Sequence, residues 1–218
     1  MTNPTLIEKT IAFVKSELLN AEAGHDWFHT QRVYNNALLI AKNEVVNREV
    51  VQLAALLHDI ADSKFHNGDE TIGPRKAGAF LTSQQVSSEI TAHVVAIIST
   101  MSYRNSLDNS STFHSKELEV VQDADRLDAI GAIGIARAFH YGGYKNRSIY
   151  HPDIPPKSDM TPAEYKTQVS PTLNHFYEKL LLLKEKMNTS TGKKLAEKRH
   201  QFMLDYLEQF FNEWNGKV

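Results

Sequence analysis

The 218-residue chain contains no cysteine. This absence excludes disulfide bonds, thiolate metal sites and cysteine nucleophiles, and it is consistent with the cytoplasmic location that we expect. The chain also has no apolar run that approaches the roughly 18 residues of a membrane span. Its first segment, MTNPTLIEKTIAFVKSELL, carries charged residues through the apolar stretch, unlike a signal peptide. We therefore expect no membrane association.

The sequence has little excess of charge, with a formal net charge of -2 and no extended basic run. Nonspecific binding to nucleic acids depends on clustered Lys and Arg that pair with phosphates, so we expect no nucleic-acid partner. The composition, 41% hydrophobic and 23% charged, is ordinary for a globular protein. The oligomeric state is not indicated by any pattern in the sequence.

No strand pattern is present at a length comparable with the helical ones. Apolar residues recur at helical spacing instead, as at Ile7, Ile11, Val14 and Leu18. The spacing predicts helices over about 5–20, 29–43, 48–60, 88–99, 116–139, 171–187 and 191–214, with two more that begin near 74 and 161. We therefore expect an all-α fold in a single domain over residues 1–218. Its core spans about 24–140 and its C-terminal helices about 161–214.

Glycine and proline locate the breaks in this pattern. Gly131 and Gly134 lie within the long helix predicted over 116–139 and are expected to bend or divide it. Residues 140–160, HYGGYKNRSIYHPDIPPKSDM, contain two Gly and three Pro and predict a long surface loop. Loops of this length in compact domains are often functional.

The chemistry is concentrated in four residues, which are His29, the adjacent pair His58 and Asp59, and Asp125. The pair closes an apolar run, LAALLHDIAD, where an uncompensated charge would be costly to bury. Two imidazoles and two carboxylates form a nitrogen and oxygen ligand set that suits manganese, nickel, cobalt, iron or magnesium better than structural zinc. We therefore expect one divalent cation, which would offset the burial cost and act as a Lewis acid.

Spacing alone leaves alternatives for two of these ligands. His25 competes with His29, because the two are one helical turn apart if the helix begins early. Asp123 and Asp128 compete with Asp125.

These motifs resemble the HD-domain metal-dependent phosphohydrolases, which have an early His, a His-Asp doublet at a helix end and an Asp in an Ala-Asp-Arg-Leu context. The resemblance extends over about 24–203 and includes HDWFHTQRV, HDIADSKFHNGDE, DADRLDAIGAIGIARAF and HFYEKLLLLKEKMNT. It is closest to a bacterial single-domain subgroup that includes a nucleoside triphosphate pyrophosphohydrolase. It implies that His29, His58, Asp59 and Asp125 are the ligands. Asp128 lies one helical turn from Asp125, and we expect it to be a supporting or ion-pairing residue.

The resemblance also implies a catalytic role for Asp62, three residues beyond Asp59, because related enzymes have an acidic residue at this offset near the attacking water. The alternative is an Asp that caps a helix end or loop. His93 is expected to be a core or half-exposed residue, which favours a single metal ion. The candidate contacts to substrate phosphates are basic residues, namely Lys64, Lys145, Arg147, Lys179 and Arg199.

The expected function is therefore a metal-dependent phosphohydrolase that cleaves nucleoside triphosphates to monophosphate and pyrophosphate. A nucleotide-binding regulatory module with a structural metal is an alternative, as is another phosphomonoesterase or phosphodiesterase of the same family. An oxygenase with two irons is a weaker alternative, because the sequence shows no convincing second ligand set.

Overall fold

Helices form every regular element of the part of the chain that the structure, a computed structural model, describes, which confirms the all-α prediction. The described residues are 4–19, 21, 25–61, 69, 71–101, 113–157 and 170–217. The helices are α1 (Pro4–Glu17), α2 (Trp27–Ala41), α3 (Arg48–Leu57), α4 (Ile72–Ser83), α5 (Ser88–Met101), α6 (Lys116–Asp128), α7 (Gly131–Tyr144), α8 (Asn174–Glu178), a 3₁₀ helix (Leu180–Lys186) and α9 (Ser190–Trp214). None of these described helices has the length and apolarity needed to span a membrane.

The chain divides into two compact units, and the boundary falls within α6, between Asp125 and Arg126. The first unit contains α1 to α5 and most of α6, and the second contains the remaining helices. A single domain over residues 1–218 stays a prediction.

Helix α3 forms the centre of the first unit. It packs against α1, α2 and α5, while α4 packs on α5. Its side chains at Val50, Val51 and residues 53–57 are buried. The helix begins where the Asn47 side chain accepts hydrogen bonds from two backbone N–H groups of the first turn, and it ends with His58 at the C-cap. Because residues 53–57 are apolar and buried, the polar pair of His58 and Asp59 follows an enclosed stretch at this C-terminal end.

The second unit is organised around α9, which packs against α7 and the 3₁₀ helix. Three aromatic rings from α7, α8 and α9 meet there, since the ring centroids of Phe139, Phe176 and Tyr206 lie 5.8–6.1 Å apart. Contacts of this kind between tilted or offset rings add to the stabilisation from apolar burial.

One predicted segment is divided as its glycines lead us to expect, and two others differ from the structure. The helix predicted over 116–139 is divided between α6 and α7, at a turn where Gly131 has a φ of +74°, a conformation that favours glycine. Helix α7 continues to Tyr144, so the predicted loop was wrong for residues 140–144, whereas residues 145–157 have no helical structure. The single helix predicted over 171–187 was also wrong, because Lys179 (φ -144°, ψ -56°) interrupts it between α8 and the 3₁₀ helix. The helix predicted from about 161 begins among residues outside the described ones.

Candidate metal centre

His29 lies in the first turn of α2 and is buried, with 3% of its surface exposed. The helix begins at Trp27, slightly earlier than the sequence predicts, because Asp26 is its N-cap. The Asp26 carboxylate accepts a hydrogen bond of 2.9 Å from the backbone N–H of His29. The cap therefore fixes the backbone of His29, whose ring is buried within the first unit.

His58 occupies the C-cap of α3, and its Nδ1 lies 2.9 Å from the carbonyl oxygen of Ala55. A carbonyl oxygen only accepts, so Nδ1 must carry the hydrogen and donate it. In a neutral ring this leaves the lone pair on Nε2. Histidines that bind metals through one nitrogen commonly donate the other N–H in this way, which holds the ring in its tautomer and orientation.

Asp125 comes from α6, and the three-residue group of His29, His58 and Asp125 brings its ligand atoms within 4.8 Å of one another. His29 Nε2 lies 3.6 Å from Asp125 Oδ1. A buried hydrogen bond of 3.2 Å from the Asn36 amide to the Ala124 carbonyl ties α2 to α6 beside this point. Three helices distant in sequence thus supply one polar cluster.

Asp59 adjoins this group through a different contact. Its Oδ2 lies 2.7 Å from His25 Nδ1 and 4.0 Å from His29 Nε2. Burial alone would raise the pKa of Asp59, but the hydrogen bond from His25 and the charges of the three surrounding histidines outweigh it and lower the pKa. The Asp59 carboxylate is therefore ionised at neutral pH, as a cation ligand must be.

The structure separates the competing residues by position. His29 belongs to the three-residue group, while His25 precedes α2 and contacts Asp59. Asp123 is fully buried and stands outside the group. Asp128, in the second unit, accepts a hydrogen bond of 2.5 Å from the Arg137 guanidinium, which is the ion-pairing role that the sequence allowed for it.

The donor set fits a divalent cation. Ligand pairs on one ion lie roughly 3.0–4.2 Å apart when each bond is about 2.1 Å. The 3.6 Å between His29 and Asp125 falls inside this range, and the cluster as a whole would close by only a fraction of an ångström. One anionic oxygen and two imidazoles, with the Asp59 carboxylate beside them, supply the mixed nitrogen and oxygen donors that such ions prefer.

The remaining predicted site residues have various positions. Asp62 and Lys64 lie outside the described residues. The other four predicted phosphate contacts belong to the second unit, where the structure describes Lys145 as the C-cap of α7, Arg147 as half-buried beyond it, Lys179 as the residue between α8 and the 3₁₀ helix, and Arg199 as part of α9.

Among these, Arg199 has a clear structural contact, a very short hydrogen bond from its guanidinium to the Leu127 carbonyl near the end of α6. His93 is half-buried and lies 3.0 Å from Ser115 Oγ and 3.6 Å from a Glu117 oxygen, in agreement with its expected structural role. The sequence named both His25 and Asp59 as candidate ligands but gave no sign that they contact each other. The Asp26 cap was missed as well, although an Asp immediately before the helix is a recognised start signal.

The sequence of residues 27–130 matches the HD domain family. An HD-superfamily hydrolase from Bacillus thuringiensis is 45% identical and similar in structure, with a TM-score of 0.80 over 98% of this chain and 99% of its own. The chain belongs to the HD-domain family of metal-dependent phosphohydrolases. The matched HD-domain range contains His29, His58, Asp59 and Asp125.

A second relative of this HD-domain protein is YpgQ from Bacillus subtilis, which is 37% identical over 211 residues, 96% of this chain and 94% of YpgQ. A crystal structure of YpgQ in complex with ADP covers 98% of this chain and 97% of the YpgQ chain, at 36% identity and a TM-score of 0.76. The similarity therefore includes both units and extends well beyond the matched HD domain.

Proposed function

We propose that this HD-domain protein hydrolyses nucleoside triphosphates to a nucleoside monophosphate and pyrophosphate, with one divalent cation from the series manganese, nickel, cobalt, iron and magnesium. The observation that carries the proposal is the group of His29, His58 and Asp125, whose ligand atoms lie within 4.8 Å of one another. A cation bound there would supply a Lewis acid for a phosphoryl oxygen and lower the pKa of a water molecule.

The residues of this chain have distinct roles in the proposal. His29, His58 and Asp125 hold the cation together with Asp59. The N–H···O bond from His58 to Ala55 keeps the other ring nitrogen available. Asp62 accepts the proton of the attacking water as a general base. The charge of the phosphates is neutralised by basic residues, namely Lys64, Lys145, Arg147, Lys179 and Arg199.

The nucleotide is supported as the substrate class by the relative YpgQ, which has been crystallised in complex with ADP. Cleavage between the α- and β-phosphates is supported by chemistry, because pyrophosphate held by basic groups is a good leaving group. We also propose that the protein acts in the cytoplasm.

The product identifies the reaction. Phosphorus NMR of the wild-type protein with a deoxynucleoside triphosphate, without added pyrophosphatase, should show monophosphate and pyrophosphate appearing together. The first appearance of orthophosphate with a nucleoside diphosphate would refute the pyrophosphohydrolase proposal and leave the phosphohydrolase family unchanged. His58→Ala serves as the matched control, because loss of a ligand should abolish the reaction without altering the substrate.

A wild-type protein with no turnover of nucleotides, cyclic nucleotides or simple phosphate esters would refute the proposal more broadly. The metals tested should be manganese, cobalt, nickel and magnesium, each in excess. Absence of turnover with all of these metals would favour the regulatory binding module instead.

A further inference from the structure

The end of α7 presents two cations beside two exposed tyrosine rings. Lys145 Nζ lies 4.9 Å from the ring centroid of Tyr144 and 5.6 Å from that of Tyr141. The guanidinium carbon of Arg147 lies 5.7 Å from the Tyr141 centroid. Tyr141 is 44% exposed and Tyr144 is 70% exposed. Such contacts favour each cation, but they do not neutralise its charge.

Backbone hydrogen bonds hold this segment against the start of α8. The N–H groups of Thr172 and Leu173 donate to the carbonyls of Ser148 and Ile149, each at 2.9 Å. Arg147 immediately precedes the bonded residues Ser148 and Ile149. These two bonds therefore hold it near the segment of the second unit that contains His175 and Lys179.

The charges of Lys179 and Arg147 both act on the ring of His175. Burial, together with the positive charges of Lys179 and Arg147, lowers the pKa of His175 to about 4. His175 is therefore neutral at pH 7, and it adds no charge to those of Lys145, Arg147 and Lys179.

The charges of Lys145 and Arg147 have no carboxylate partner within the described part of the chain. Other arginines of the second unit are engaged by acceptors of the fold, since Arg137 pairs with Asp128 and Arg199 bonds to a carbonyl. A concentration of unneutralised positive charge next to exposed aromatic faces is suited to an anion that also carries an aromatic ring.

We propose that this surface, defined by Tyr141, Tyr144, Lys145, Arg147 and Lys179, binds a nucleotide through both its phosphates and its base. The three cations hold phosphate oxygens, with Arg147 able to form two parallel hydrogen bonds. The base stacks on the exposed ring of Tyr144. The choice of a nucleotide rests on the proposed function. What this surface adds is the tyrosine rings that contact the base. The chain's net charge of -2 favours a mononucleotide over a long nucleic acid.

Calorimetric titration of the full-length, manganese-loaded protein with ADP, pyrophosphate and adenosine would test the proposal. Lys145→Gln and Arg147→Gln should each weaken the binding of ADP and pyrophosphate by about 10-fold, because each removes a charge-assisted hydrogen bond. Tyr144→Ala should weaken ADP binding and leave pyrophosphate binding unchanged. Lys194→Gln, at an exposed position of α9, is the matched control for loss of one charge and should bind like the wild type.

Several results would overturn the proposal. The first is that Lys145→Gln and Arg147→Gln bind ADP as tightly as the wild type does, and the second is that the wild type does not bind ADP. The others are that adenosine binds as tightly as ADP, or that single-stranded RNA binds more tightly than ADP. Lys145 is exposed, so its variant remains informative if Arg147→Gln fails to fold.

Failure of this surface proposal can also be distinguished from failure of the proposed hydrolysis. Weaker ADP binding in the charge variants, together with no hydrolysis of triphosphates by the wild type, would support the surface and refute the reaction. Hydrolysis to pyrophosphate with unchanged ADP binding in the variants would refute the surface and support the reaction.

Discussion

His25 Nδ1 lies 2.7 Å from Asp59 Oδ2, so a residue ahead of α2 holds a carboxylate at the end of α3. This contact explains how two adjacent polar residues are accommodated after an apolar helix. His58 is held by the Ala55 carbonyl, and Asp59 is held by His25. Outer contacts of this kind orient metal ligands, and their loss commonly weakens metal binding.

Removal of His25 should therefore weaken metal binding without removing a ligand. We expect His25→Ala to lower the affinity for manganese by about 10–100-fold, the usual effect of losing such a supporting residue. Calorimetric titration of the metal-free protein with manganese measures this directly. An unchanged affinity would mean that Asp59 needs no support from His25.

Removal of His58 should have the larger effect. The wild type is expected to carry roughly one divalent ion per chain, and His58→Ala should lose it, because an imidazole donor is missing from the group. Elemental analysis of the purified proteins gives the metal content. His114→Ala is the matched control, since this histidine is 71% exposed and pairs with Glu119. Equal metal content in the wild type and His58→Ala would remove His58 from the site.

Asp62→Asn separates proton transfer from metal binding. The change is nearly isosteric and removes only the ability to accept a proton. We expect the metal content to stay the same and turnover to fall by about 10²–10⁴-fold, the range usual for loss of a general base. Loss of metal would identify Asp62 as a ligand, and unchanged turnover would return it to a capping role.

Two adjacent glycines of α7 should respond in opposite directions to alanine. A Cβ at Gly142 would lie 2.1 Å from Thr172 Oγ1, whereas a Cβ at Gly143 would meet nothing within 4 Å. Gly142→Ala should destabilise the protein by about 1–3 kcal/mol through overpacking against a buried side chain. Gly143→Ala should stabilise it by up to about 1 kcal/mol through helix propensity. Urea denaturation measures both, and equal midpoints for the two variants would contradict the close packing at Thr172.

The lowered pKa of His175 predicts a loss of stability in acid. Its pKa is about 4 in the folded protein and 6.5 when unperturbed, so the unfolded chain binds the proton more readily. The neutral ring therefore contributes stability that is fully present above pH 6.5 and lost as the pH falls towards 4. The loss is about 3 kcal/mol at most.

Urea denaturation at pH 7 and pH 4.5 tests this sign. His175→Gln should lose less stability than the wild type between the two values, because it has no ring to protonate. His151→Asn, at an exposed position of the same unit, should behave like the wild type. A His175→Gln variant with the full acid-induced loss would assign that loss to other groups.

The helical class followed from the sequence because its signal is local. Apolar spacing repeats within each segment, as at Val33, Ala37 and Ile40 of α2, and backbone hydrogen bonds in a helix connect residues only four apart. The residues of the candidate site were also recognisable from the sequence, since the His58-Asp59 doublet follows an apolar run and Asp125 lies in a distinctive motif. These features need no knowledge of distant contacts.

Tertiary structure alone decided which groups meet. Spacing left His25 and His29 equivalent, and the family resemblance favoured His29 without saying what His25 contacts. The packing of the first unit places His29 in the metal group and His25 against Asp59. The same is true of the charges, because nothing local distinguishes Arg137, which pairs with Asp128, from Arg147, which lies over a tyrosine ring. The physical reason is that a side chain's partner depends on through-space distance, which in a helical fold is set by contacts between residues far apart in sequence.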